Sequence, residues 1–160
     1  MDVKIDLEDY NFKYRVCPVI LKNDKVLFVE INNNGFLCCP GGHVEIGEDS
    51  ISAVKRETEE EIGVKCENVK LIALIENFFK NKKGKQFHEV GMYYLFEDVE
   101  MPDEKLVDYE YIEIDHGQEV SLKFKWVGLD KLDDFDIRPL KLKGILKNKK
   151  FEFNHILVKE

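Results

Sequence analysis

The stretch Gly42 to Val64, GHVEIGEDSISAVKRETEEEIGV, constrains this chain more than any other. From Ile51 to Ile62 it contains neither glycine nor proline, so it reads as a turn feeding one helix that stops at Gly63. Asp49 or Ser50 caps the start. Residues advance by about 100° along a helix, which gathers Glu57, Glu60 and Glu61 within an arc of roughly 100° and turns Glu59 nearly the opposite way. Ile51, Val54, Thr58 and Ile62 form a separate stripe suited to packing against a sheet.

Such a helix is electrostatically poor by itself. Like charges at i,i+3 and i,i+4 each cost about 0.2–0.5 kcal/mol, and the acids sit near the helix C-terminus, where the macrodipole disfavours them. A bound hard cation such as Mg²⁺ removes both penalties, because it takes oxygen ligands and is neutralised by carboxylates. The bland alternative is a charged, solvated helix face. Gly41 and Gly42 after Pro40 serve either as turn punctuation or to bring backbone carbonyls close to a cation, and Arg56 is placed to pair with Glu48 and hold the loop against the helix.

The spacing decides between these readings. Five residues separate Gly42 from Glu48, seven separate Glu48 from Arg56 and Glu57, and Glu60, Glu61 and Gly63 follow. This segment resembles the Nudix box, the signature of the Nudix hydrolases, at every fixed position. Seven identities at set spacing arise by chance at about 10⁻⁷ or less per start site at average residue usage. Thr58 is the departure, since the family usually has a bulkier aliphatic there. It is a packing position, so the chemistry is untouched.

The resemblance implies an α/β Nudix fold, with a mixed sheet sandwiched between helices, and hydrolysis of a nucleoside diphosphate linked to another group. It also implies Mg²⁺ or Mn²⁺, with Glu57, Glu60 and Glu61 as metal-binding carboxylates, the Gly42 carbonyl as a further ligand, and Glu48 and Arg56 in support. A pyrophosphate crowds negative charge at phosphorus, and a metal offsets that charge while lowering the pKa of bound water. The general base stays open among Glu57, Glu60 and an acid ahead of Trp126, of which Glu119 is the best placed. A non-catalytic nucleotide-sensing module and an isomerase of prenyl diphosphates are the competing activities. The complete set of box acids disfavours the first, and no cysteine and glutamate flanking the box suit the allylic proton transfer of the second.

The remaining sequence bounds these expectations. At 160 residues and 44 % hydrophobic content the whole chain is expected as one Nudix domain with its own core. A formal charge of −8 opposes a surface that tracks long nucleic acid, so the expected partner is a small-molecule nucleotide. The start, MDVKIDLEDY, has no long apolar segment and no stretch of about 18 apolar residues occurs. A cytoplasmic protein, monomeric or homodimeric and away from membranes, is expected. Cys17, Cys38, Cys39 and Cys66 make no C-x-x-C spacing and read as reduced, mostly buried thiols, with Cys38 and Cys39 pointing to opposite sides. The four histidines have no zinc spacing.

Along the chain, Phe12–Leu21 and Lys25–Ile31 read as a hairpin, and Phe36–Cys39 as a short strand leading into the box. Val69–Phe79 and Gln86–Phe96 form a second hairpin across the basic turn Lys80–Lys85. An aromatic on an open face of the latter strand is a candidate to stack on a nucleobase. Residues 97–119, acidic and poor in aliphatics, read as a long loop holding at most a short strand at Tyr109–Ile114. Ser121–Gly128 is a strand, Leu129–Asp133 and Pro139–Lys147 are helices, and Phe151–Val158 is a closing strand or tail.

Overall fold

The computed structural model describes residues 1–160. Its centre is β2 (Tyr10–Lys22), a 13-residue strand of mostly β-branched, aromatic and aliphatic residues. On one edge β2 pairs in parallel with β6 (Gln86–Glu97) without interruption from Tyr10 to Leu21. On its other edge it takes three successive partners. Its start pairs with β1 (Lys4–Asp6), its middle with β4 (Gly42–His43), and its end with β3 (Lys25–Ile31).

The predicted first hairpin therefore forms, but β2 and β3 stay paired only at Leu21–Val26 and Lys22–Lys25 before they part. Pro18 lies in the unpartnered stretch between those pairs and β4, where a residue without an N–H is tolerated. The polypeptide between Phe36 and Gly42 fills the opening. It bridges β3 at Val29–Cys38 and then pairs Gly42 with Val16 and His43 with Arg15. Phe36–Cys39 is thus no continuous strand, because each side of the opening captures only part of it.

β3 continues into β8 (Gln118–Gly128), and β8 into β7 (Tyr109–Asp115). On the far side β5 (Lys70–Lys80) joins β6, and β9 (Asn154–Lys159) closes that edge. The sheet order is β7-β8-β3-β2-β6-β5-β9, with parallel pairs at β2/β6 and β5/β9.

Two apolar layers flank the sheet. One contains Val16, Ile20, Leu27, Tyr94 and Phe96 under α1 (Ser50–Ile62), which contributes Ala53, Val54 and Ile62. The other contains Cys17, Val19, Phe28, Ile75 and Tyr93 under α2 (Leu142–Lys147), which contributes Leu142, Ile145 and Leu146. Each fully buried aliphatic of this kind stabilises by about 1.5–3 kcal/mol relative to exposure. Cys38 packs on the α1 side and Cys39 on the α2 side, as alternation along an extended segment requires, and all four thiols are free.

Several expectations need correction. Ile51 is 47 % exposed, and Ala53 takes its place in the buried face of α1. Within 97–119 the expected strand at Tyr109–Ile114 forms, one residue longer, but the stretch is less of a loop than expected. It holds a 3-10 turn at Asp103–Lys105 and all of β7, which turns through His116 and Gly117, both at positive φ, straight into β8. Leu129–Asp133 is replaced by a 3-10 turn at Leu132–Asp134, and α2 starts at Leu142 rather than at Pro139. Neither face of β6 is open along its second half, since Tyr93 and Tyr94 are each 3 % exposed. No helix is long and apolar enough to cross a membrane.

Candidate active site

The box builds its geometry from both ends of α1. Asp49 is the N-cap: its side chain accepts from the N–H groups of Ile51 and Ser52. Ser50 instead hydrogen-bonds the Tyr94 hydroxyl at 2.6 Å, which fastens the first turn to the sheet. Gly63 ends the helix at φ 79°, its N–H donating to the Glu59 carbonyl. The buried Thr58 hydroxyl donates to the Val54 carbonyl at 2.6 Å, so the residue that departs from the family pattern buries no unpaired donor.

Arg56 organises the acids. Its Nε and Nη2 each donate to Glu48 at 2.9 Å, which is the bidentate geometry that suits a guanidinium. Nη2 also reaches the His43 carbonyl at 3.2 Å, while Nη1 donates to Glu57 at 2.7 Å and to Glu60 at 3.4 Å. Loop, strand β4 and helix are thereby tied through one side chain, and the box acids already have a cation behind them.

In front of them Glu57, Glu60 and Glu61 line one cavity of about 540 Å³, bordered by Gly41 and by Tyr111 and Glu113 of β7. Glu60 is the exposed member. Burial raises the Glu57 carboxyl above its usual range, although the Arg56 hydrogen bond pulls the other way. Burial pushes Glu61 up to about 7, against the lowering effect of the Gly41 N–H that donates to it at 3.0 Å. Desolvated carboxylates close to one another, with raised pKa values, are groups that gain from a positive charge.

The donor set fits a hard divalent ion in its chemistry: three carboxylates and Gly41 face one space, with Gly42 next in the chain but not lining it. No three acidic, histidine or cysteine side chains stand close enough to enclose an ion as they are. The acids share the cavity, and Arg56 draws two of them to its own side. A Cβ at Gly42 would overlap the Glu57 carboxyl, so a side chain there has to displace that group.

Glu119 is not brought to this group. It lies opposite Ile114 in the β7/β8 ladder, exposed, on the face away from α1. The acid that does face the cavity is Glu113, which sequence reasoning missed. Tyr109, Tyr111 and Glu113 alternate along β7, and the two tyrosines pack on the α1 side of the sheet. That two-residue period was visible within the expected strand Tyr109–Ile114, but which face of the strand meets α1 is set by its pairing with β8, which the sequence does not show.

The family model of the NUDIX domain matches residues 12–147. Solved structures with the same fold include the MutT protein of Bacillus halodurans, 17 % identical over 92 % of this chain and 90 % of that one, with a TM-score of 0.64. The MutT NUDIX hydrolase of Burkholderia pseudomallei is 22 % identical over 86 % and 96 %, with a TM-score of 0.57. The Ap4A hydrolase of C. elegans is 20 % identical over 88 % and 96 %, with a TM-score of 0.53. With the box, the sheet and the family model in agreement over most of its length, the chain belongs to the NUDIX family and is a hydrolase that acts on pyrophosphate bonds.

Proposed function

We propose that the chain hydrolyses the pyrophosphate bond of a small-molecule nucleotide, a nucleoside diphosphate joined to another group, with Mg²⁺ or Mn²⁺ held by Glu57, Glu60, Glu61 and the Gly42 carbonyl. The observation that carries this reading is the convergence of the three box glutamates on one cavity beside the Gly41–Gly42 turn. When bound, the metal offsets phosphate charge and lowers the pKa of water.

The chain's own groups have distinct tasks. Arg56, anchored by both Glu48 oxygens, fixes the helix against the loop and sets where Glu57 and Glu60 point. The Gly41 N–H orients Glu61. Glu57 or Glu60 takes the proton from the attacking water, and Glu113 is the further acid facing the same space. Glu119, on the opposite face, has no part in the proton transfer.

Purified protein with Mg²⁺ is expected to release products from at least one member of a panel of deoxynucleoside triphosphates, ADP-ribose, dinucleoside polyphosphates and sugar nucleotides. Glu60→Gln is expected to abolish release, Glu113→Gln to lower kcat, and Glu119→Gln to leave it unchanged. Undiminished activity in Glu60→Gln overturns the ligand assignment. Inactivity of the unaltered protein across the panel favours a module that binds nucleotides without turnover.

A further inference from the structure

A second cavity of about 460 Å³ lies on the α2 side of the sheet, beside the opening between β2 and β3. It adjoins the first through the box turn: Arg15, in its wall, donates to the Gly41 carbonyl at 3.3 Å, and Gly41 borders the carboxylate cavity. Its floor crosses three strands. The ladders place Asn77 of β5 opposite Glu89 of β6, and Glu89 opposite Lys13 of β2, so a polar row crosses the sheet face, with Arg15 beside it. Phe36, Phe79 and Tyr93 supply flat walls.

Two features of this cavity lack a partner within the chain. Asn77 is 8 % exposed, and its buried Oδ1 accepts no hydrogen bond. A buried acceptor left unpaired is costly, and an occupant with a donor recovers that cost. Lys13, Lys80 and Lys82 also line the cavity and have no carboxylate at ion-pair distance. Arg15 has Glu89 at 3.7 Å, and Arg138 has Asp136 and Glu160 at 2.7 and 3.2 Å. Lys13 lies 5.3 Å over the Phe87 ring, and burial and the nearby Arg15 hold its ammonium below its ordinary pKa. In a chain of net charge −8, three unpaired cations at one cavity are a local arrangement, and an anion relieves them.

We propose that this cavity receives the part of the substrate beyond the scissile pyrophosphate and that this part carries its own negative charge. The substrate class is then a dinucleotide or nucleotide conjugate phosphorylated away from the bond that is cut. The proposal rests on the pyrophosphohydrolase reading and deepens it. The occupant offers a flat ring to the aromatic walls, a donor to Asn77, and a phosphate to Lys13, Lys80 and Lys82.

The test compares pairs that differ by one remote phosphate: NADH with NADPH, and dephospho-coenzyme A with coenzyme A. The unaltered protein is titrated calorimetrically in EDTA, where no hydrolysis interferes. In at least one pair the phosphorylated member is expected to bind about tenfold more tightly, or about 1.4 kcal/mol. That advantage should shrink with added salt and fall below about threefold in the Lys80→Ala/Lys82→Ala double variant, whereas Asn77→Ala should weaken both members alike. Equal affinities in both pairs, no binding of any of the four, or an advantage that survives in the double variant overturns the proposal. Hydrolysis is measured separately with Mg²⁺: turnover without the preference removes this inference alone, and the preference without turnover removes the hydrolase reading alone.

Discussion

Gly41 and Gly42 are neighbours, yet a methyl group harms each differently. Gly41 sits at φ 146°, and a Cβ there would run into the Val16 carbonyl, which is backbone and has no freedom to yield. Gly41→Ala is expected to cost about 1–3 kcal/mol of stability, on the scale of a strained backbone position, as measured by urea unfolding. At Gly42 the Cβ meets only the mobile end of Glu57. Gly42→Ala should therefore fold nearly as well while kcat falls at least tenfold, because the displaced group is a proposed metal ligand. Equal losses of stability in the two variants would contradict this division. Glu61 gives a pH prediction. Its folded pKa of about 7 stands above the usual 4.5, so without metal its ionisation opposes folding. The penalty is complete above about pH 7 and fades as pH falls towards 4.5. Glu61→Gln should stabilise the metal-free protein at pH 8 by at most about 3 kcal/mol and do nothing at pH 4.5. A destabilised variant at pH 8 would show that the carboxylate is held by its Gly41 hydrogen bond more than it is disfavoured by burial.

At the scale of elements, what could be read from the sequence depended on how many faces of a segment are buried. β3, β5 and β6 fall within a residue of expectation because each is a run of β-branched and aromatic residues between turn residues. β7 was also found to within a residue, as the short strand Tyr109–Ile114, but its facing was not: it is an edge strand whose Ile112 and Ile114 are exposed on one side, so its acids and aliphatics do not separate into a wet and a dry face. Without that facing the inward turn of Glu113 went unread, and Glu119 was chosen instead. The Arg56–Glu48 pair was legible because loop and helix are close in sequence. The parting of β2 from β3 was not, since it depends on a third segment entering between them. The cap of α1 offers a check at this scale. Asp49→Ala leaves the N–H groups of Ile51 and Ser52 without their acceptor, and the melting temperature should drop by about 2–4 °C for a chain of this size. No change would mean that the Ser50–Tyr94 contact alone holds the first turn.

Across the whole molecule, burial disfavours the ionised Glu57 and Glu61, so the proposed metal would link its own binding to folding. An ion that binds only the folded form stabilises by about 2.7 kcal/mol at 100 times its Kd, which for a chain of this length raises the melting temperature by about 5–10 °C. Mg²⁺ added to the unaltered protein at pH 8 should give a rise of that order, saturating with concentration, and EDTA should reverse it. Glu61→Gln should melt higher than the unaltered protein in EDTA and yet gain little from Mg²⁺, since the substitution removes both the repulsion and a ligand. This crossing of the two curves separates a metal site from a merely crowded acidic surface: screening by salt raises stability without saturating at low ion concentration, and a monovalent salt of equal ionic strength reproduces it. If NaCl matches Mg²⁺ in the unaltered protein, or if Glu57→Gln, Glu60→Gln and Glu61→Gln all keep the full Mg²⁺ gain, the three acids hold no ion.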